Sequence, residues 1–432
     1  MNWTDYFKHF LVLFSGSALA QAINLLSYPL LARLYSPAEY GLFALFIAIC
    51  AIPAALACAR FDVIIPTVRG ASRFAVLWVC LTAALLTATV TTALVGLYFL
   101  VWNSSQPAYV AFLAGGAVFL AGFCSSSSML LMRHDRYVAS SRAVVVRTAI
   151  TVAAQVGLAV AVGGAAGLIL GYCIGFLAQA VALALAARGL GWRRPRVRQM
   201  KAIFQRYRRQ IAIDVPGTVI GAGSAQLLSV FLVALHGPRA AGVYAMASRI
   251  TIVPMELFST SLSQVFFQKA ARAQEATGSF WGQMKLNLAL MAVVTGAVVV
   301  AIWLFARAVV DIYLGAEWAL VGDVLIILAP MLALRSIAVS VATAVFIIKR
   351  PAWLFMHNLA AALAQGAAFA FALWGGLDMR SFLMVAATLM AIESASFILI
   401  LVVAARRRHL GRAAPVDPAD RAAALATAPD AG

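Results

Sequence analysis

Acidic residues are scarce in this chain: 432 residues carry 15 Asp and Glu against 33 Lys and Arg, and charged residues make up only 11%. An average soluble domain has roughly 25%. That poverty of charge, beside 64% hydrophobic residues, excludes a soluble core. Cysteine is nearly as sparse. Cys50, Cys58, Cys80, Cys124 and Cys173 lie in or beside apolar runs and form no C-x-x-C pair, which argues against a disulfide framework and a zinc site. The sequence has no G-x-x-x-x-G-K-[ST] and no H-E-x-x-H, and His9, His134, His236, His357 and His409 are scattered over separate segments. Nothing converges on a catalytic residue, a metal or a cofactor, so the chain reads as a non-enzyme.

What is present is a series of apolar runs of about twenty residues, each long enough to cross a ~30 Å hydrocarbon layer. Lipid cannot satisfy a free backbone, and barrel strands would be half this length, so the spans are helices and the class is all-α. They fall at 11–32, 41–60, 74–101, 108–132, 143–163, 164–188, 211–235, 241–268, 286–308, 319–347, 352–374 and 381–405. Ala18-Leu19-Ala20 resembles a signal-peptidase site. The apolar run before it, from Phe10 to Phe14, is shorter than a signal core and continues through Leu31, which makes the segment a first spanning helix.

With the N-terminus inside, 27 of the 33 basic residues lie on the inner side, four (Arg33, Arg239, Arg307, Arg380) lie outside, and Arg249 and Arg335 lie within spans. This asymmetry places both termini on the cytoplasmic side of the membrane. The net charge of +18 sits in short segments between spans, where anionic phospholipids, not nucleic acid, are the expected partners. A basic stretch at 189–210 forms a cytoplasmic linker between an N-terminal six-helix bundle (1–188) and a C-terminal one (211–405). The Ala/Pro/Asp-rich end, 406–432, reads as a disordered tail.

An internal repeat supports that division. Leu34-x-x-Pro37-x-x-x-Gly41-x-Phe43-Ala44-Leu45 is matched by Leu235-x-x-Pro238-x-x-x-Gly242-x-Tyr244-Ala245-Met246, and Pro53 by Pro254, all 201 residues apart. An even number of spans per repeat gives both halves the same orientation, with the substrate path expected between them.

At these residues the chain resembles the oligosaccharide (O-antigen type) flippases of the multidrug/oligosaccharidyl-lipid/polysaccharide exporter superfamily. The resemblance is carried by Leu30-Leu31-Ala32-Arg33-Leu34-Tyr35-Ser36-Pro37-Ala38-Glu39-Tyr40-Gly41, by Arg60-Phe61-Asp62-Val63-Ile64-Ile65-Pro66, by Ala241 to Ile250, and by Pro254 and Gln264-Val265-Phe266. It implies about twelve transmembrane helices in two six-helix bundles around a V-shaped cavity. It also implies outward transport of an undecaprenyl-pyrophosphate-linked glycan for surface polysaccharide (lipopolysaccharide or exopolysaccharide) assembly, with polysaccharide polymerase machinery as a downstream partner. The rival readings are a drug/cation antiporter of the same superfamily and a membrane-embedded glycan polymerase or ligase. The antiporter calls for an acidic, aromatic cavity, and the polymerase for a large outer loop where the outer loops here are all short.

Charges at membrane depth ask for a partner, water or a function. Arg249 and Arg335 are the first candidates to grip a pyrophosphate, because a guanidinium is permanently charged and planar. The plain alternative for Arg249 is a structural pair with Glu256, seven residues on. Arg33, at the outer end of the first helix, meets a departing headgroup or flanks the membrane with Glu39. Ser17, Gln21, Asn24 and Tyr28 form one polar stripe on the first helix, suited to a cavity wall or to interhelical hydrogen bonds. Arg142, Arg147, Thr151 and Gln155 mark the inner part of the fifth helix, as headgroup contacts or as ordinary positive-inside residues. Ser125 to Ser128 are expected to bond back to their own helix. The candidates to couple H+ or Na+ are Glu256, Glu393, Asp62 and Asp214, with Asp323 behind them. Trp318, Trp353 and Trp374 read as interface anchors.

Overall fold

The computed structural model describes residues 3–68, 72–102, 109–190 and 195–413. Twelve α-helices follow in order: α1 (Trp3–Leu34), α2 (Pro37–Leu56), α3 (Ser72–Trp102), α4 (Tyr109–Arg133), α5 (Tyr137–Ala161), α6 (Gly164–Ala186), α7 (Val197–Thr277), α8 (Trp281–Tyr313), α9 (Leu320–Val341), α10 (Ala344–Ile347), α11 (Ala352–Gly375) and α12 (Met379–Ala413). Short 3₁₀ turns occupy Asp62–Ile64 and Ala316–Trp318, and the described residues contain no strand. Ten helical stretches among them are long and apolar enough to cross a membrane. The other two expected spans, 11–32 and 241–268, coincide with α1 and with the far part of α7. This is a multi-pass membrane protein.

Three boundaries differ from expectation. Residues 197–210 of the basic linker are helical and continuous with the seventh span, while Arg193 and Arg194 lie outside the described residues. α12 runs on to Ala413, so 406–413 is helix, and the rest of the expected tail, 414–432, lies outside the described residues. The seventh and eighth spans are two limbs of α7, 197–236 and 238–277, broken only at Gly237 (φ 80°, ψ 177°). A side chain rarely adopts that backbone, and Pro238 behind it cannot carry the first limb's hydrogen bonds forward. At the equivalent point of the first half, 201 residues earlier, Ser36 ends α1 and caps α2. Its hydroxyl accepts the Glu39 N–H at 3.4 Å, and the Glu39 carboxylate accepts the Ser36 N–H at 2.7 Å, a reciprocal capping box.

The buried apolar residues explain how the halves meet. One core cluster runs through both, from Tyr28, Tyr40 and Phe43 to Met246, Trp318 and Phe382. Away from it the packing divides: one cluster joins Phe61, Phe74 and Leu130 to Ile203, another joins Cys124 and Phe176, and a third, confined to the second half, joins Phe266, Phe280 and Phe397. Apart from the start of α7, which packs on the first half through Ile203, Tyr207 and Ile211, the halves therefore touch at one end and pack separately at the other, the V-shaped arrangement. At the closed end the Trp318 indole N–H donates to the Ala32 carbonyl at 2.9 Å, the ring meets Tyr40 edge-on at 5.7 Å, and the Tyr313 hydroxyl donates to the Leu25 carbonyl. Trp318 is fully buried and fastens the two halves together. The expectation of an interface anchor fails for it because a partner helix covers the whole indole. Trp374 is almost fully exposed.

Candidate functional site

A cavity of about 290 Å³ lies next to the closed end. α1 supplies Gln21, Asn24, Ser27 and Tyr28; α2 supplies Tyr40 and Phe43; α5 supplies Arg147, Thr148, Thr151 and Gln155; α6 supplies Tyr172; and Arg249 reaches in from the second limb of α7. The stripe read from the four-three-four spacing in α1 thus faces the part of α5 that carries Arg147, Thr151 and Gln155. Asn24 donates to the Gln21 side chain at 3.4 Å, so the two amides form one polar edge. Ser17, at the far end of the stripe, is exposed and outside the lining. Gln155 is committed to packing as well: its amide donates to the Leu168 carbonyl at 3.1 Å, and its own carbonyl accepts the Tyr35 hydroxyl at 2.6 Å.

Arg249 defines the chemistry. Its Nη1 donates to the Tyr40 hydroxyl at 2.9 Å, and the guanidinium carbon lies 5.3 Å from the centroids of both Tyr40 and Phe43. Arg147 lies 4.9 Å from the Phe176 ring. Neither belongs to any of the ion pairs formed among the described residues. Holding an arginine at the centre of a span costs about 2.5–3.5 kcal/mol on insertion scales. A ring face returns about 0.5–2 kcal/mol and a neutral hydrogen bond about 1 kcal/mol, so the aromatic cage holds Arg249 in place without neutralising it. The Tyr40 bond engages a single N–H, which leaves the rest of the planar fork to bind oxygens.

The pairing of Arg249 with Glu256 does not occur. Glu256 instead meets Arg335 on α9, at 3.5 Å, because spacing along one helix fixes only a face, and a neighbouring helix offers the nearer partner. For the same reason Arg335 stands beside Met255 and Ser259 and outside the Arg249 cavity. Arg142 is separated too. It lines a groove between α5 and α6 with Arg136. Arg33 is exposed in the last turn of α1, and Glu39, its suggested companion, caps α2.

The remaining carboxylates lie in different places. Asp62 is buried, with Oδ2 accepting from the Ser125 hydroxyl at 2.6 Å and Oδ1 without a partner. Ser125 therefore bonds across helices, and only Ser126 returns to its own, at Gly122. Asp214 is exposed on α7. Asp323 joins Arg307 at 2.8 Å and Arg380 at 3.5 Å in an open cluster. Glu393 on α12 meets His357 of α11, Nδ1 to Oε1 at 2.5 Å. Sequence reasoning missed His357 as its partner, and it missed Tyr40, Phe43 and Tyr172 as cavity walls. One signal was available for Tyr40: the repeat puts Ala241 at the equivalent position, so the first half carries an aromatic hydroxyl there that its counterpart lacks.

Two repeat-related helical halves thus enclose one polar cavity within a multi-pass membrane fold. The chain belongs to the polysaccharide biosynthesis protein family, whose pattern matches residues 30–322. No curated protein sequence matches it. Its fold is that of the MOP superfamily. The lipid II flippase MurJ, in an inward closed conformation, aligns with a TM-score of 0.69 at 14% identity, covering 90% of this chain and 87% of its own. An inward-facing multidrug resistance MATE family transporter aligns with 0.65 at 15% identity, covering 93% and 96%. A MOP superfamily transporter from Pyrococcus furiosus aligns with 0.60 at 15% identity, covering 92% and 94%, and is described as having a binding pocket of reverse polarity that suggests a different function.

Proposed function

We propose that this chain is a flippase that carries an undecaprenyl-pyrophosphate-linked oligosaccharide from the inner to the outer leaflet of the bacterial inner membrane, leaving the lipid chemically unchanged. The observation that carries this reading is the pair of arginines, Arg249 and Arg147, lining one cavity in which no lining residue is acidic. A pyrophosphate is the natural counter-charge for two guanidinium groups. The Gln21–Asn24 edge and the Tyr28, Tyr40 and Tyr172 hydroxyls suit the first sugars. A drug/cation antiporter would call for an acidic, aromatic cavity; the aromatic walls are shared, but the two arginines and the lack of an acidic lining residue stand against that rival. The Pyrococcus neighbour, with its pocket of reverse polarity, offers a parallel for such a change of cargo on this fold.

With the basic loops in the cytoplasm, the Gly41–Gly242 end faces outward, and the cavity would load from the inner leaflet. Rocking of the halves would then close that access and part the outer end, powered by an H+ or Na+ gradient. Anionic phospholipids would hold the basic inner surface, and a polysaccharide polymerase would receive the flipped unit. The test is deletion of the gene: lipid-linked glycan should accumulate on the cytoplasmic leaflet while surface polysaccharide disappears. Unchanged surface polysaccharide, with no accumulated intermediate, would overturn the reading.

A further inference from the structure

The His357–Glu393 contact lies in the second half, away from the Arg249 cavity, and nothing in the headgroup chemistry uses it. His357 Nδ1 and Glu393 Oε1 are 2.5 Å apart, with side chains only 15% and 10% exposed. The imidazole lies flat on Phe397 at 4.1 Å with 12° between the planes. The Ser394 hydroxyl approaches the other carboxylate oxygen at 3.4 Å. The nitrogen and the oxygen are within hydrogen-bonding reach of each other, and the stacked ring cannot turn away without losing Phe397.

We propose that His357 and Glu393 form a proton-carrying dyad, which makes H+ rather than Na+ the ion that drives this transporter; the proposal rests on the flippase reading above. A hard cation such as Na+ takes oxygen ligands, yet here a ring nitrogen covers Oε1. With one proton held between Nδ1 and Oε1 the pair carries no net charge and is stable in dry surroundings. When that proton passes to water, a carboxylate is left buried beside a neutral imidazole, and a bare buried charge is costly enough to favour a conformation that admits water. Histidine is the side chain whose ordinary titration falls in the physiological range.

Among the described residues neither His357 nor Glu393 joins a second ion pair. α11 has no other ionisable residue, though Lys349 and Arg350 stand in the turn before it; on α12 Arg380, bound to Asp323, stands thirteen residues before Glu393, and Arg406 and Arg407 begin the basic end thirteen residues after it. From α7 comes exposed Asp214, one turn before Gly217, against which Phe355 packs; from α9 comes Arg335, already on Glu256; from α8 comes Lys285, over the Trp281 ring. A mechanical route exists as well. Asn358, next to His357, faces α7 at Gly221, where an added Cβ would lie 3.7 Å from its amide nitrogen, and Gln365 of α11 donates to the Ser224 carbonyl at 3.0 Å. The state of the dyad thus bears on the first limb of α7, the helix that joins the halves.

The test reads conformation without substrate, so it is independent of what is transported. Spin labels at Val162→Cys and Leu320→Cys, exposed positions of opposite halves, with Cys173→Ala to silence the half-exposed native thiol, report the inter-half distance in lipid nanodiscs. The wild-type distribution should shift between about pH 6 and about pH 8 and should ignore replacement of K+ by Na+. His357→Gln and Glu393→Gln should each lock the distribution against pH, while Glu393→Asp, which keeps the carboxylate and guards against a mere folding defect, should retain most of the shift. A full pH response in both glutamine variants, or a Na+ response in wild type, would overturn the dyad. A pH response that obeys these expectations in a protein that moves no pyrophosphate-linked lipid would instead overturn the flippase reading alone.

Discussion

Gly41 of α2 and Gly242 of α7 lie against each other, although each is the other's counterpart in the repeat. A Cβ built on Gly41 would stand 1.7 Å from the Pro238 carbonyl oxygen, and one on Gly242 would stand 1.8 Å from that of Pro37. The two copies of Pro-x-x-x-Gly therefore cross at the pseudo-twofold axis, and small residues let the backbones touch. The repeat that marks two halves also builds the contact that closes them.

Gly41→Ala or Gly242→Ala should accordingly shift the protein away from this conformer. Overpacking costs typically about 1–3 kcal/mol, which moves a two-state equilibrium roughly 5- to 150-fold. The Val162–Leu320 label distance should broaden toward longer separations in either variant. An unchanged distribution would mean that the crossing has slack.

Arg249 and Glu256 should behave independently, because they do not touch. A double-mutant cycle of Arg249→Ala and Glu256→Ala on thermal stability should be additive within about 0.5 kcal/mol. The same cycle on Arg335 and Glu256, a pair about one-third and one-half exposed, should show a coupling of no more than about 1 kcal/mol. Coupling larger for Arg249 than for Arg335 would contradict the arrangement.

Most of the architecture was legible because lipid imposes it. Span length, loop charge and a repeat at one offset follow from hydrocarbon thickness, insertion bias and duplication, and each leaves a pattern along the chain. The joint at Gly163, φ 67°, falls where glycine alone marked it. The α1 stripe and the α5 residues were likewise readable as faces. Partners were not, since periodicity says which way a side chain points and not what another helix puts there. Tyr40 meets Arg249 across 209 residues and Glu393 meets His357 across 36. Trp318 was misread for that reason, as an aromatic near a helix end looks the same whether lipid or a second half covers it.

Asp62 offers a check on interior packing. Ser125→Ala removes its one hydrogen bond and leaves both carboxylate oxygens without a partner, a loss of about 1–3 kcal/mol. Thermal unfolding in detergent should register the drop, whereas Ser126→Ala, which loses only a bond back to its own helix, should be nearly neutral.

His134, in the turn between α4 and α5, has its basicity lowered by burial first and then by Arg73, Arg136 and Arg133. The folded protein thus disfavours the charged imidazole, so stability is full above the unfolded value of about 6.5 and falls as pH drops through it toward the lower folded value. His134→Asn should flatten that acid-side decline in a pH series of melting temperatures. A decline of unchanged steepness would place its cause elsewhere.

The most direct measurement of the central claim is translocation of a pyrophosphate-linked polyprenyl oligosaccharide by purified protein in liposomes, followed by accessibility of the glycan to an external reagent and by the mass of the lipid. Wild type should move the lipid and leave its mass unchanged. Arg249→Lys should keep part of the rate, because a point charge still attracts pyrophosphate without the planar fork. Arg249→Ala, at normal protein level, should abolish transport. Wild-type rates in Arg249→Ala, or a product of altered mass, would contradict the account.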